Sequence, residues 1–177
     1  MNIILREYTE PVPEKDIIDK KGWYINHFPV LRPEKSTSCR IVWNSAATYK
    51  GISLNEGLYK GPDLLNNLFC VLVWRQDAVA ITGDIQKMFN QIQISPKDRI
   101  YHRFLWRDGD VSKPPKDFQW KRLPFGDKPA PDLSISALRF LADQHSTIFP
   151  IASKIISDHC YMDDTAKSFP QSRMLSL

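Results

Sequence analysis

The chain has 177 residues, enough for one domain with a real core or one lobe of a larger one. Hydrophobic residues make up 42% and charged residues 25%, a globular balance that excludes a disordered or fibrous chain. The net charge of +4, from 24 basic and 20 acidic residues, is too small a surplus to identify a polyanionic partner by itself. No run of 18 apolar residues exists, so no membrane partner is expected, and residues 1–10 are too short and too acidic for a signal peptide. Cys39, Cys70 and Cys160 are far apart and form no CxxC pair. Neither a disulfide framework nor a structural zinc site is indicated, and the expected location is a reducing one, the cytoplasm.

Thirteen prolines against seven glycines predict stiff connections between short elements. Residues 13–21 predict a short helix, with Glu14 and Asp16 early, Lys20 and Lys21 late, and Gly22 as the stop. Residues 23–28 and 39–43 read as paired strands around a loop at 32–38. Residues 51–62 read as loop. Asp63 then caps a helix whose apolar face carries Leu64, Leu68 and Leu72, with Leu65, Phe69 and Val73 beside them. Residues 78–82, small or β-branched, predict a buried strand ending at Gly83-Asp84. Residues 101–106 and 118–122 are strand-like around the turn Asp108-Gly109-Asp110. Residues 131–146 predict a helix with Leu133, Ala137, Phe140 and Leu141 on its inner face, and 151–157 predict another. Residues 159–166 form two short apolar arms around an acidic turn.

Charge is unevenly spread. Between Lys97 and Lys128 nine Lys or Arg face five Asp, a net +4 that leaves the rest of the chain neutral. Trp106, Phe118, Trp120 and Phe125 interleave with those charges. Basic groups plus aromatic rings suit a strand that tracks phosphates and stacks bases; a solvated face over a core explains the same composition.

Two acidic points carry candidate chemistry. Asp84 ends a strand, and Asp163 and Asp164 sit at a hairpin tip. If the strands are neighbours, the carboxyl groups converge, and a divalent cation such as Mg²⁺ is a natural partner for them. Two ions roughly 3.5–4 Å apart serve phosphoryl displacement. Taken singly, Asp84 also reads as a turn residue or helix cap, and Asp163-Asp164 as a polar turn.

Several blocks together resemble the reverse-transcriptase domain of BEL/Pao-type long-terminal-repeat retrotransposons. Tyr161-Met162-Asp163-Asp164 is similar to the characteristic catalytic tetrad. Leu123-Pro124-Phe125-Gly126 followed by Ala130-Pro131 resembles the "LPFG…(A/S)P" block, and residues 84–92 resemble the first catalytic block. Upstream, Trp23-Tyr24-Ile25-Asn26-His27-Phe28-Pro29-Val30 resembles "WYLPHHPV". Residues 40–62 resemble "RVVFDxSA…GxSLN…GP", and residues 101–106 resemble "YxRFLW". The likeness covers about residues 20 to 167.

The resemblance implies an α+β fold, the fingers and palm of a right-hand polymerase, with a mostly antiparallel sheet packed on helices. Fingers would take about 1–77 and 95–122, and palm about 78–94 and 123–177. It implies an RNA-directed DNA polymerase with Asp84, Asp163 and Asp164 as the catalytic, metal-holding set for two Mg²⁺ ions, Mn²⁺ being the substitute. Asp84 and Asp163 would be the direct ligands, with Asp164 pointing the other way along its strand. Arg40, Ile85, Phe89, Phe125 and Gly126 would bind nucleotide, Phe89 as the gate against a ribose 2′-hydroxyl. Tyr161 and Met162 would meet the primer end. Partners would be an RNA or DNA template-primer and deoxynucleoside triphosphates, in retrotransposon particles.

Two departures stand out. Asn44 replaces the usual aspartate, and Asp127-Lys128-Pro129 lies between Gly126 and Ala130-Pro131. Only 13 residues follow Asp164, so the expected thumb and ribonuclease H, like the preceding protease, fall outside the chain. A truncated remnant that binds nucleic acid without catalysis is the other reading.

Overall fold

Apolar and aromatic residues at 103–106 and 116–120 give the first sheet. The computed structural model describes residues 7–18, 21–34, 39–69 and 73–170. β1 (Thr9–Pro11), β7 (Arg103–Trp106) and β8 (Lys116–Trp120) form an antiparallel sheet in the order β1-β8-β7. Its register sets Phe104 opposite Phe118 and Thr9 opposite Trp120. The joining of β1 was not predicted; Thr9 and Glu10 look like any polar pair until β8 takes them as partners. α1 (Glu14–Ile18) is the short helix foreseen at 13–21, of which residues 19–20 lie outside the described residues.

β2 (Asn26–Leu31) and β3 (Cys39–Asn44) pair antiparallel, with His27 opposite Trp43. Of the loop predicted at 51–62, residues 52–57 are in fact structured. β4 (Thr48–Tyr49) and β5 (Ile52–Ser53) form a hairpin turned by Lys50 and Gly51, both at positive φ. That is the backbone of a tight hairpin turn, and a lysine in its first position hides the signal. Ser53 then caps α2 (Leu54–Gly57). Its hydroxyl accepts from the Glu56 N–H and the Glu56 carboxylate accepts from the Ser53 N–H, a reciprocal capping box.

These elements belong to one compact unit, residues 1–60 and 89–130. Its core gathers Tyr8, Ile25, Trp43, Leu54, Ile94, Phe104 and Trp120. Phe104 is fully buried, with its ring 4.7 Å from Trp43 edge-on and 5.8 Å from Phe118 stacked. Aromatic rings of this size bury 150–250 Å² each and dominate a small core.

The second unit comprises residues 61–88 and 131–177. Its sheet runs β6 (Val79–Asp84), β10 (Asp164–Phe169), β9 (Cys160–Tyr161), all antiparallel. α3 (Ala130–Gln144) begins at the boundary with the first unit and lies otherwise in the second, followed by α4 (Pro150–His159). An apolar groove of about 410 Å³ is lined by Ile81 and Phe169 from the sheet and by Phe149, Ile151 and Ile155 around α4. The fingers and palm ranges foreseen above are a functional division. The compact units are a packing division, and the two partitions assign 61–77, 89–94 and 123–130 differently.

Three expectations are corrected here. β6 is not buried: Val79 is half-buried and the five residues after it are exposed. It is an edge strand of its sheet, with only β10 beside it among the described residues. Residues 61–67 are not helical; residues 68–69 are, and 70–72 lie outside the described residues. Local side-chain bonds compete with the helix there, since the Asp63 and Asn67 carboxyl and amide oxygens accept from the N–H groups of Leu65 and Phe69. The inner face of α3 is also not the predicted one. Leu133, Phe140 and Leu141 are exposed, and the buried set is Ala130, Asp132, Ser134, Ile135 and Ala142. The buried face is small and partly polar, so the largest apolar residues do not mark it.

Candidate active site

The sheet of the second unit places the acidic residues. In the register of β6 against β10, Asp84 lies directly opposite Asp164. The Ile85 N–H, one residue past β6, donates to the Asp163 carbonyl at 2.8 Å. The end of β6 is thereby fixed to the hairpin tip. Direct cross-strand partners project to one face of a sheet. Asp84 and Asp164 therefore share a face, whereas Asp163 sits in the turn, where strand alternation no longer applies. This differs from the expectation that Asp164 points away from Asp84.

β9 and β10 are joined by Met162 and Asp163 alone, because Tyr161 is already opposite Asp164. Met162 has φ +57°. The first position of such a two-residue turn is one that glycine normally fills. A side chain there stores backbone strain, a feature that gathers at functional sites.

The three acidic side chains are exposed. Three carboxyl groups at one sheet end are the donor chemistry of a hard divalent cation. Among the described residues no group of three or more His, Cys, Asp or Glu is drawn close enough to hold a metal. What the three carboxyl groups share is donor type, and those of Asp84 and Asp164 also share strand register.

The hairpin is held from behind by a residue the sequence reading missed. The Asn66 amide donates to the carbonyls of Ser157 (3.0 Å) and Cys160 (2.8 Å), and its oxygen accepts from the Arg139 guanidinium at 3.0 Å. Both its N–H donors and its oxygen are engaged. The one signal available was an asparagine inside an apolar run. Beside it the Cys160 thiol, 2.9 Å from the Thr165 hydroxyl, is pushed up in pKa by burial, against the pull of that bond.

The remaining candidates lie in the first unit. Arg40 is exposed on β3. Phe89 and Phe125 are in ring contact, with centroids 4.9 Å apart. Gly126 has φ +106°, and a Cβ there would lie 2.3 Å from the Trp43 carbonyl oxygen, so only glycine fits. Asp84, Ile85, Tyr161, Met162, Asp163 and Asp164 are brought together on one sheet. Arg40 is separated in sequence and strand from the Phe89, Phe125 and Gly126 group.

The basic, aromatic stretch divides between interior and surface. Trp120 is a core residue, and Trp106 and Phe118 pack against the core. Arg103 is buried, its guanidinium donating to the carbonyls of Asp16 and Lys21. Arg99 is paired with Glu10 at 2.9 Å. No helix among the described residues is long and apolar enough to cross a membrane.

The mixed helices and antiparallel sheets match part of the fold of solved reverse-transcriptase structures. Among these are structures of the prototype foamy virus protease–reverse transcriptase. The native form matches with a TM-score of 0.62 and 18% identity, over 98% of this chain and 19% of that chain. A selenomethionine-labelled mutant matches at 0.64 and 16%, over 98% and 19%. The foamy viral protein in complex with an RNA/DNA hybrid matches at 0.59 and 17%, over 99% and 20%. The chain thus spans about a fifth of the length of these structures. No family model matches the chain, and no curated protein matches it in sequence.

Proposed function

We propose that the chain is the fingers-and-palm part of an RNA-directed DNA polymerase from a BEL/Pao-type retrotransposon. The observation that carries this reading is the register Asp84 opposite Asp164, with the Asp163 carbonyl bonded to the Ile85 N–H. The likeness to foamy virus structures supports the class, and the sequence blocks support the retrotransposon type. One of those neighbours is bound to an RNA/DNA hybrid, which agrees with a template-primer as partner here.

The reaction would be attack of a primer 3′-hydroxyl on the α-phosphate of a deoxynucleoside triphosphate. Asp84, Asp163 and Asp164 would hold two Mg²⁺ ions, or Mn²⁺ in their place. Bound there, the metal would supply charge stabilisation for the attacking and leaving oxygens. Tyr161 and Met162 would meet the primer end. The Arg40 guanidinium suits a triphosphate. Phe89 would exclude a ribose 2′-hydroxyl by its bulk, and Phe125 and Gly126 would lie against the base. The protease, thumb and ribonuclease H of the parent polyprotein would be its covalent neighbours.

The test is extension of oligo(dT) on poly(rA) by the purified chain with dTTP and Mg²⁺. We expect extension that Asp84→Asn or Asp163→Asn reduces by about a thousandfold, the scale on which removing one charge-stabilising group acts. Equal activity in both variants and the parent would refute the assignment.

A further inference from the structure

Asp127, in the segment that departs from the retrotransposon pattern, is buried and bonded through both carboxyl oxygens. Its carboxyl group is buried, with one oxygen accepting from the Ser45 hydroxyl at 2.6 Å and the other lying 2.7 Å from His102 Nε2. Ser45 is 1% exposed and His102 6%. Ser45 follows the last residue of β3, and His102 precedes the first of β7. Asp127 therefore ties the 123–128 turn to two strands at once. His102 Nδ1 is in turn 3.1 Å from the Asp98 carbonyl. Both ring nitrogens thus face oxygen atoms.

A second tie runs beside it. The Asn55 amide donates to the Gly126 carbonyl at 3.0 Å, and its oxygen accepts from the Lys128 N–H at 2.8 Å. The turn is therefore held at Gly126, Asp127 and Lys128, and the Gly126 backbone already lies too close to Trp43 for any side chain. A buried carboxyl group costs stability unless fully partnered. Here both oxygens are engaged, on Ser45 and His102.

We propose that Asp127 is a positioning residue: through Ser45 and His102 it fixes the turn that presents Phe125 and the Gly126 backbone to the incoming nucleotide. The proposal rests on the polymerase reading for the identity of that ligand, and on geometry alone for the clamp. It assigns Asp127 a part in nucleotide affinity and not in the chemical step.

The test uses the whole chain as parent, Asp127→Ala and Asp127→Asn. Asparagine keeps the acceptor for Ser45 and offers an N–H to a neutral His102 ring, so it preserves the bridge without the charge. Hydrogen–deuterium exchange reads the turn directly. We expect Asp127→Ala to speed exchange at residues 123–128 by about tenfold, the scale of one lost buried bridge, with β7 and β8 unchanged. In primer extension we expect its KM for dTTP to rise about tenfold with kcat within about twofold. Asp127→Asn should restore most of both. Unchanged exchange in Asp127→Ala, or a loosened turn with KM unaltered, overturns the proposal. Should Asp127→Ala fail to fold, Ser45→Ala, which removes one bond only, is read by the same two criteria. If the parent chain does not extend primers, the polymerase reading fails, and the exchange measurement alone decides the clamp.

Discussion

Met162 occupies a backbone conformation that favours glycine, at the tip of the turn that carries Asp163. The strain, of order 1–3 kcal/mol, is offset by bonds that hold the hairpin, from the Ile85 N–H to Asp163 and from the Asn66 amide to Ser157 and Cys160. His27 shows the opposite economy. Its ring lies 4.8 Å from Trp43, 5.5 Å from Trp106 and 6.0 Å from Phe104. Burial among these rings pushes its pKa below the usual histidine value, against the pull of the Ile25 backbone bond. The unfolded chain therefore takes up a proton that the folded chain resists. The contribution of His27 is complete above its unfolded pKa of about 6.5 and is lost as pH falls through the lower folded value. We expect the urea midpoint to drop between about pH 7.5 and about pH 5, and His27→Phe to flatten that slope, as an uncharged ring fills the same aromatic pocket. An identical slope in His27→Phe would remove this residue from the pH response.

Among the elements, those with strong local signals were legible in the sequence. The strands expected at 23–28, 39–43, 101–106 and 118–122 overlap β2, β3, β7 and β8, and the helix expected at 151–157 overlaps α4. The order Asp84, then Asp163-Asp164, was readable as well, because a strand end and a hairpin tip leave plain marks. What stayed hidden depended on partners distant in sequence. β1 forms through β8, and residues 61–67 leave the helix for Asx bonds and for Asn66's hold on residues 157 and 160. The clamp of Ser45, His102 and Asp127 spans 82 residues and has no local signature. α3 misled because apolar spacing shows that a stripe exists without showing which side is covered. With Ile135 inside and Phe140 two-thirds exposed, we expect Ile135→Ala to cost about 2 kcal/mol or more and Phe140→Ser less than about 0.5 kcal/mol. Denaturant titration distinguishes them, and the reverse order would place the other face of α3 inside.

For the molecule as a whole, charge and burial act differently in the two units. The first has a dense aromatic core and spends Arg99 and Arg103 on internal bonds, so fewer of its basic groups than composition suggests are free to meet phosphate. The second buries few large side chains and carries its acidic residues on an exposed sheet end. β6 adds a further property. Its residues Val79, Ala80, Ile81 and Thr82 are uncharged, three of them β-branched, and one side of the strand has no partner among the described residues. Such an edge is a template for addition of a strand from another molecule. In concentrated solution the chain should therefore self-associate through β6, with turbidity rising steeply with concentration. Ala80→Lys, a charge on the exposed strand, should keep it dispersed without changing its thermal midpoint, and light scattering of the two proteins at equal concentration would show the difference.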